Sequence, residues 1–423
     1  MILYTVQSGD NLYQIAKKYQ TDIEAIVQAN GIKREETLII GQSLIIPVNT
    51  MIYVVQKGDS LYAISQKYHT TIAKLLDDNP YIVPPYILYP GQQIMVQNEI
   101  DQKRPLTING YLFPKTNVDY FVPNAAALTY GSVFGYHIHE EGKLLPLDDS
   151  SMIENLKKHD IAPIMTVTNT TEKGSFSTPL ASAVLENKSR RAQLAKEILS
   201  TMQKKGYMGV NIDFEYVSPK NKEDYVAFLR ELKALLNEQY ELSVALAPKY
   251  SANQEGLLYE AHDYEAIGKI ADRIILMTYE WGYTYGPAMA VAPLHLVEKV
   301  LRYAVEAIPP EKLNLGIPTY GYDFIVPYRK GNKARSLSYE SAIDLARKKK
   351  ASILFDETSK TPYFIYYDGN EKHEVHFEDA RSIAEKIDLA FRYRLLGLSF
   401  WTLRSSFEPM WTVINESVDV VKY

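Results

Sequence analysis

Gly209-Val210-Asn211-Ile212-Asp213-Phe214-Glu215-Tyr216 alternates without a break. In a strand, Val210, Ile212, Phe214 and Tyr216 face one way and Asn211, Asp213 and Glu215 the other. Parallel strands covered on both faces normally read as continuous apolar runs. Two carboxylates and an amide along one buried face are costly unless they are paired or have a task.

Around this segment, other strands follow in order, each with helical or loop material behind it. They are Thr107-Leu112, Ala127-Tyr136, Ala162-Thr168, Leu242-Ala247, Arg273-Tyr279, Leu313-Thr319 and Gly397-Trp401. Amphipathic helices read most clearly at Arg191-Lys205, Lys222-Glu238, Ala290-Ala307 and Asp379-Tyr393. Alternating β and α segments favour a parallel sheet. Eight such units in residues 106–423 favour an α/β fold closed as a (β/α)8 TIM barrel. The stretch from about 326 to 377 is too long for one crossover. Lys350-Phe355, Thr361-Tyr367 and Glu374-Phe377 read as short strands there, so a small α+β insertion is expected between strands seven and eight.

Ahead of the barrel the chain repeats itself. Tyr4-Thr5-Val6-Gln7-Ser8-Gly9-Asp10-Asn11-Leu12 returns as Tyr53-Val54-Val55-Gln56-Lys57-Gly58-Asp59-Ser60-Leu61, 49 residues on from Gly9 to Gly58. The spacing holds at Asn30 and Asn79 and grows by one at Gly41 and Gly91. Each copy reads as a βααβ unit. The carboxylate of Asp10 or Asp59 is placed to cap the helix that follows. Thr21-Asp22-Ile23-Glu24 has the form of a capping box, and Ala73 in the second copy weakens the equivalent cap behind Thr70. Asn98 to Arg104 reads as a polar linker.

Composition limits the function. The 46 Lys+Arg against 51 Asp+Glu leave a net charge of −5, without the basic excess a nucleic-acid footprint needs. No cysteine is present, which excludes thiolate chemistry and disulfides. No apolar run is long enough to span a membrane, and no basic-then-apolar secretory leader is visible at the N-terminus. The 33 tyrosines suit carbohydrate surfaces and half-buried strands alike. His137-x-His139 reads as a solvated strand end and not as metal ligands. His373-Glu374-Val375-His376 lies in a strand-like segment and lacks the helical metalloprotease spacing. Arg347-Lys348-Lys349-Lys350 complements a helix dipole.

The repeat, residues 1–48 and 52–97, resembles the LysM domain, a module that binds N-acetylglucosamine-containing glycans such as peptidoglycan and chitin. The resemblance places the sugar between the first strand–helix loop and the second helix–strand loop. Here those loops carry Gly9, Asp10 and Asn30 in one copy, and Gly58, Asp59 and Asn79 in the other. The 208–215 segment resembles the Asp-x-x-Asp-x-Asp-x-Glu signature of glycoside hydrolase family 18. Asp213 and Glu215 match its last two acids, while Asn211 replaces the middle Asp and Met208 stands near the motif's start. The resemblance implies Glu215 as general acid and substrate-assisted catalysis, in which the 2-acetamido oxygen attacks with retention. Asp213 would hold the acetamide N–H; two residues along one strand, roughly 6–7 Å from Glu215, it is badly placed as the opposing nucleophile. Tyr279, in Met277-Thr278-Tyr279-Glu280-Trp281, would orient the acetamide, with Glu280 where the family usually has Asp. Trp401 would floor the −1 subsite, with Asn211, Glu280 and Trp281 among the substrate-binding residues and Tyr283 and Tyr285 candidates for the cleft wall.

Taken together, the modules and barrel resemble the spore cortex-lytic N-acetylglucosaminidases of spore-forming bacteria. The resemblance implies a retaining endo-β-N-acetylglucosaminidase that needs no cofactor or metal and is tethered to peptidoglycan, and the chain is expected to act as a monomer. It also implies synthesis in the mother-cell cytoplasm and residence in the spore's coat or cortex layers. A chitinase shares the chemistry with a different neighbouring sugar. A non-catalytic glycan-binding protein is the reading from another class, and the retained Glu215, Asp213 and Tyr279 speak against it.

Overall fold

The computed structural model describes residues 1–19, 21–47, 51–68, 70–96, 103–171 and 173–423; most of the Asn98 to Arg104 linker lies outside them. In the first module, β1 (Ile2–Thr5) pairs antiparallel with β2 (Ser43–Ile46) around helices Leu12–Tyr19 and Ile23–Asn30. The second module pairs β3 (Met51–Val54) with β4 (Gln93–Val96) around helices Leu61–Lys67 and Ile72–Asp78.

The turn chemistry of the modules differs from the sequence reading. Asp10 does not cap its helix: Oδ2 accepts from the Gln7 N–H at 2.7 Å and the Tyr4 hydroxyl at 2.6 Å. Asp59 repeats this with Gln56 and Tyr53. Each carboxylate thus closes the turn before the helix, and the cap falls to the next residue, Asn11 or Ser60. The capping box is likewise not formed. Asp22 caps the second helix through the Glu24 N–H, because Thr21 spends its hydroxyl on the Pro47 carbonyl. In the second copy Thr71, not Thr70, accepts from the Lys74 N–H at 3.1 Å.

Seven parallel strands follow: β5 (Arg104–Leu112), β6 (Tyr130–His137), β7 (Ala162–Thr168), β8 (Gly209–Asp213), β9 (Glu241–Leu246), β10 (Arg273–Leu276) and β11 (Leu313–Pro318). The chain then leaves the barrel for an antiparallel sheet built from β12 (Tyr320–Val326), β13 (Arg335–Ser338), β14 (Leu354–Asp356), β15 (Thr361–Asp368) and β16 (Glu371–His376). The inserted sheet therefore begins at Tyr320, ahead of the expected 326. Only Thr319 separates it from β11. The eighth barrel strand, β17 (Gly397–Trp401), pairs with both β11 and β5, which closes the barrel. A last short strand, β18 (Val418–Val420), pairs in parallel with the outer end of β5 and has no counterpart in the sequence reading.

Outward-facing Val210 and Ile212 are fully buried beneath the helices. The interior is polar and closely hydrogen-bonded: Ser132, Asn109 and Ser399 form one chain at 2.7 and 2.8 Å. Tyr111, Asn211 and Ser243 form another at 2.8 and 3.1 Å. Such networks avoid the cost of buried polar atoms when every member is paired.

The two modules sit differently. Ile39 and Ile45 of the first belong to the same apolar cluster as the barrel. Arg347, expected to serve only its helix dipole, reaches Glu36 at 2.7 Å and the Thr37 carbonyl. Arg381 bonds the Gly41 carbonyl, and Thr412 that of Ala29. Gly41 lies so close to the Ile353 carbonyl that a Cβ would collide with it. The second module has its own cluster around Ile64, Leu75 and Ile94.

Candidate active site

The C-terminal ends of the barrel strands open into a cavity of about 600 Å³. Asp213, Glu215, Tyr279, Glu280, Trp281 and Trp401 all line it. These are six of the residues singled out in the barrel, gathered from β8, the segment after β10 and β17.

Asn211 is not among them. It is fully buried below the floor, its amide committed to Tyr111 and Ser243, so it props the site from beneath and does not line the cavity. Regular strand also ends at Asp213. Tyr216 turns out of the expected alternation with φ +51° and becomes exposed at the cavity wall. Of the two loop tyrosines, Tyr283 lines the cavity, whereas Tyr285 lies outside it and accepts from the Tyr328 hydroxyl through its carbonyl.

The acids occupy different surroundings from those of an exposed pair. Asp213 is 5% exposed and its buried Oδ1 has no hydrogen-bond partner. Burial pushes its pKa up to about 7. Burial lifts Glu215 well above the usual carboxylate range, with repulsion from Asp213 and then Glu280 adding to it. Desolvation penalises the charged form, so two such neighbours retain a proton that exposed carboxylates would lose. Glu280 is also raised by burial, tempered by hydroxyl donation from Tyr320 and Tyr322.

Glu215 is aimed by residues that carried no motif. The Asn169 side chain accepts from the Glu215 N–H at 2.9 Å and donates to its carbonyl at 2.8 Å. On the preceding residue, the Phe214 carbonyl meets His262 Nε2 at 2.9 Å. His262 Nδ1 accepts from the Ala247 N–H at 2.8 Å, so Nε2 must carry the proton in that contact. Burial holds this imidazole's pKa down to about 4, keeping it neutral. One clue was readable: polar Asn169 falls just beyond the end of β7, where barrel sites collect, whereas His262 lies far from any strand end in the sequence.

Trp401 is held edge-on by Tyr111 and Phe134, with ring centroids at 5.2 and 5.0 Å. Gly316 makes room for Tyr279, since a Cβ there would lie 3.0 Å from the ring and 2.2 Å from the Leu276 carbonyl. Trp281 is fixed by its indole N–H to the Tyr250 hydroxyl at 2.7 Å.

Away from the barrel mouth, Gly9 and Gly58 are exposed with φ of +89° and +93°, at the turns their modules require. A groove of about 490 Å³ lies in the first module between Asp10-Asn11-Leu12 and the Arg34–Leu38 segment. Asn30 and Asn79 do not face a groove. Both are buried, each bridging its helix to the closing strand: Asn30 to Ile26 and Ile45, Asn79 to Leu75 and Met95. They are internal clasps, and their repetition reflects the fold. Among the described residues, no group of three or more His, Cys, Asp or Glu stands together as metal ligands would, and no helix is long and apolar enough to cross a membrane. His373 and His376 lie in β16, bonded to Asp323 and Glu374.

Comparison with known proteins gives matches over both the barrel and the modules. The family described as glycosyl hydrolases family 18 matches residues 123–405, and the LysM domain matches residues 4–47 and 53–97. The chain is 38% identical to the cortical fragment-lytic enzyme of Bacillus subtilis over 431 residues, covering 100% of this chain and 99% of that one. It superposes on the spore cortex-lytic enzyme SleL of Bacillus megaterium with a TM-score of 0.90 at 36% identity, covering 100% and 99% of the two chains. A chitinase from Chromobacterium violaceum shares the fold, with a TM-score of 0.69 over 74% of this chain and 98% of its own at 24% identity.

Proposed function

Because the chain belongs to glycosyl hydrolase family 18 and carries two LysM domains ahead of its barrel, we propose that it is a retaining endo-β-N-acetylglucosaminidase of peptidoglycan. Its substrate on this reading is the spore cortex fragment, in keeping with the relatives named cortical fragment-lytic and cortex-lytic enzymes.

The observation that carries the mechanism is the buried, unpartnered Oδ1 of Asp213 beside Glu215, whose carboxyl is held above the usual range by burial and by repulsion from Asp213. An unpartnered acceptor lining the cavity suits an amide N–H brought in by the substrate. An N-acetylglucosamine over Trp401 presents its acetamide N–H to Asp213 and its carbonyl to the Tyr279 hydroxyl. Glu215 donates its proton to the leaving glycosidic oxygen as the acetamide oxygen attacks the anomeric carbon. The C–O bond breaks, a cyclic oxazolinium forms, and Asp213 balances its charge. Water, deprotonated by Glu215, then reopens the ring with the original configuration. The LysM modules raise the local concentration of insoluble glycan at the cleft. The protein acts in the spore's outer layers.

The test is digestion of purified cortex fragments by wild type and Glu215→Gln, with mass spectrometry of the reduced products and NMR of the first-formed anomer. New β-configured reducing-end N-acetylglucosamine from wild type alone is expected. Cleavage of chitin oligomers but not of cortex would replace the substrate reading. No cleavage of either would leave a glycan-binding protein.

A further inference from the structure

A second cavity, of about 520 Å³, continues the cleft past Trp401 and shares Glu280, Tyr320 and Trp401 with the catalytic one. One side comes from the inserted sheet, where Tyr320 and Tyr322 stand in register opposite Ser338 and Ser336. The other comes from the loop after β17, which contributes Arg404 and Ser405. The guanidinium of Arg404 lies 4.8 Å from the centroid of Phe113, whose ring is in turn 6.2 Å from that of Trp401.

Among the described residues Arg404 makes no hydrogen bond or ion pair. The carboxylate in the same groove, Glu280, is engaged by Tyr320 and Tyr322 instead. An arginine steadied on an aromatic face keeps its donor fork free, a geometry suited to a carboxylate. We propose that Arg404 binds a carboxylate carried by the sugar next to the −1 N-acetylglucosamine. The proposal deepens the peptidoglycan reading and rests on it.

The direction in which the glycan runs does not affect the argument. Peptidoglycan alternates N-acetylglucosamine with muramic acid, so an N-acetylglucosamine over Trp401 has a muramyl sugar on both sides. A muramyl sugar carries acid on its lactyl group or on the peptide attached there. The neighbours in chitin are neutral, and so is a muramic lactam. Arg404 therefore sorts acidic from neutral neighbours.

The experiment compares wild type, Arg404→Gln and Arg404→Lys on soluble glycan fragments with free carboxylates and on the same fragments after amidation with methylamine. Charge-assisted contacts span factors of about 10–100, and the solvent-open position of Arg404 puts it near the low end, about tenfold. The expected result is a roughly tenfold rise in KM for Arg404→Gln on acidic fragments with kcat little changed. Amidated fragments should show no difference between the proteins, and Arg404→Lys should recover part of the loss. Equal effects on both substrates, or none on either, would overturn the proposal. Failure of the underlying function is separately visible, because wild type would then cut neither form.

Discussion

Replacing Asp213 with Asn should make the protein more stable at alkaline pH while removing activity. The native carboxyl titrates at about 7 against 3.8 for an ordinary aspartate, because burial disfavours its charge. Between those values the folded protein holds a proton that the unfolded chain has released. The stability contributed by the protonated form is therefore full below about pH 4 and lost as pH rises through 7. Each pKa unit corresponds to about 1.4 kcal/mol, so the ceiling on the loss is about 4 kcal/mol. Asparagine is never charged, but its amide hydrogens need acceptors in the same buried space, at a cost of about 1–3 kcal/mol if unmet. A net gain of about 1–3 kcal/mol at pH 8 remains. For a protein of this size that is about 1–4 °C in midpoint. Calorimetry of both proteins at pH 4 and pH 8 tests it. The variant should melt higher only at pH 8. An equal shift at both pH values, or a loss at pH 8, would show that the carboxylate is not held against its preference.

Glu215→Gln should lower kcat by about 10²–10⁴, the usual contribution of a positioned general acid, while leaving glycan binding intact in pull-down. Asn169→Ala should release both main-chain contacts to Glu215 and lower kcat by about 10–100-fold with little change in KM. Kinetics on a soluble substrate would check this, and an unchanged kcat would remove Asn169 from the positioning role. Ile45→Ala should cost the barrel about 2–5 kcal/mol because Ile45 belongs to its core. Ile94→Ala should loosen only the second module; hydrogen exchange distinguishes the two.

The barrel was legible because each strand announces itself locally: Ala162–Thr168 and Gly397–Trp401 begin and end where their apolar runs do. The candidate acids, Asp213 and Glu215, stood out because two carboxylates on a buried strand face are costly unless paired or given a task. Other assignments failed because one residue type serves two purposes. An asparagine recurring at Asn30 and Asn79 suits a sugar contact and an internal clasp equally, and only the path of the closing strand decides between them. Asp10 resembles a helix cap until Tyr4, six residues earlier, is seen to claim it. Asn169 and His262 were missed because their partners are backbone atoms of Phe214 and Glu215, and a main-chain partner leaves no mark on composition or spacing. Likewise Arg347 stands in a basic run, and nothing in that run says that Glu36 lies opposite.

Seating the first module against the barrel also sets a distance. A tether of variable span samples a volume, and its benefit falls as that volume grows. The groove beside Asp10 and Arg34 belongs to a body that shares its core with the barrel, so its separation from Glu215 is constant. On the proposed function, a glycan held there offers the cleft only the bonds lying that far along the strand. Fragments shorter than the separation are then cut without help from the module, and longer ones are cut at a measured interval from the point of grip.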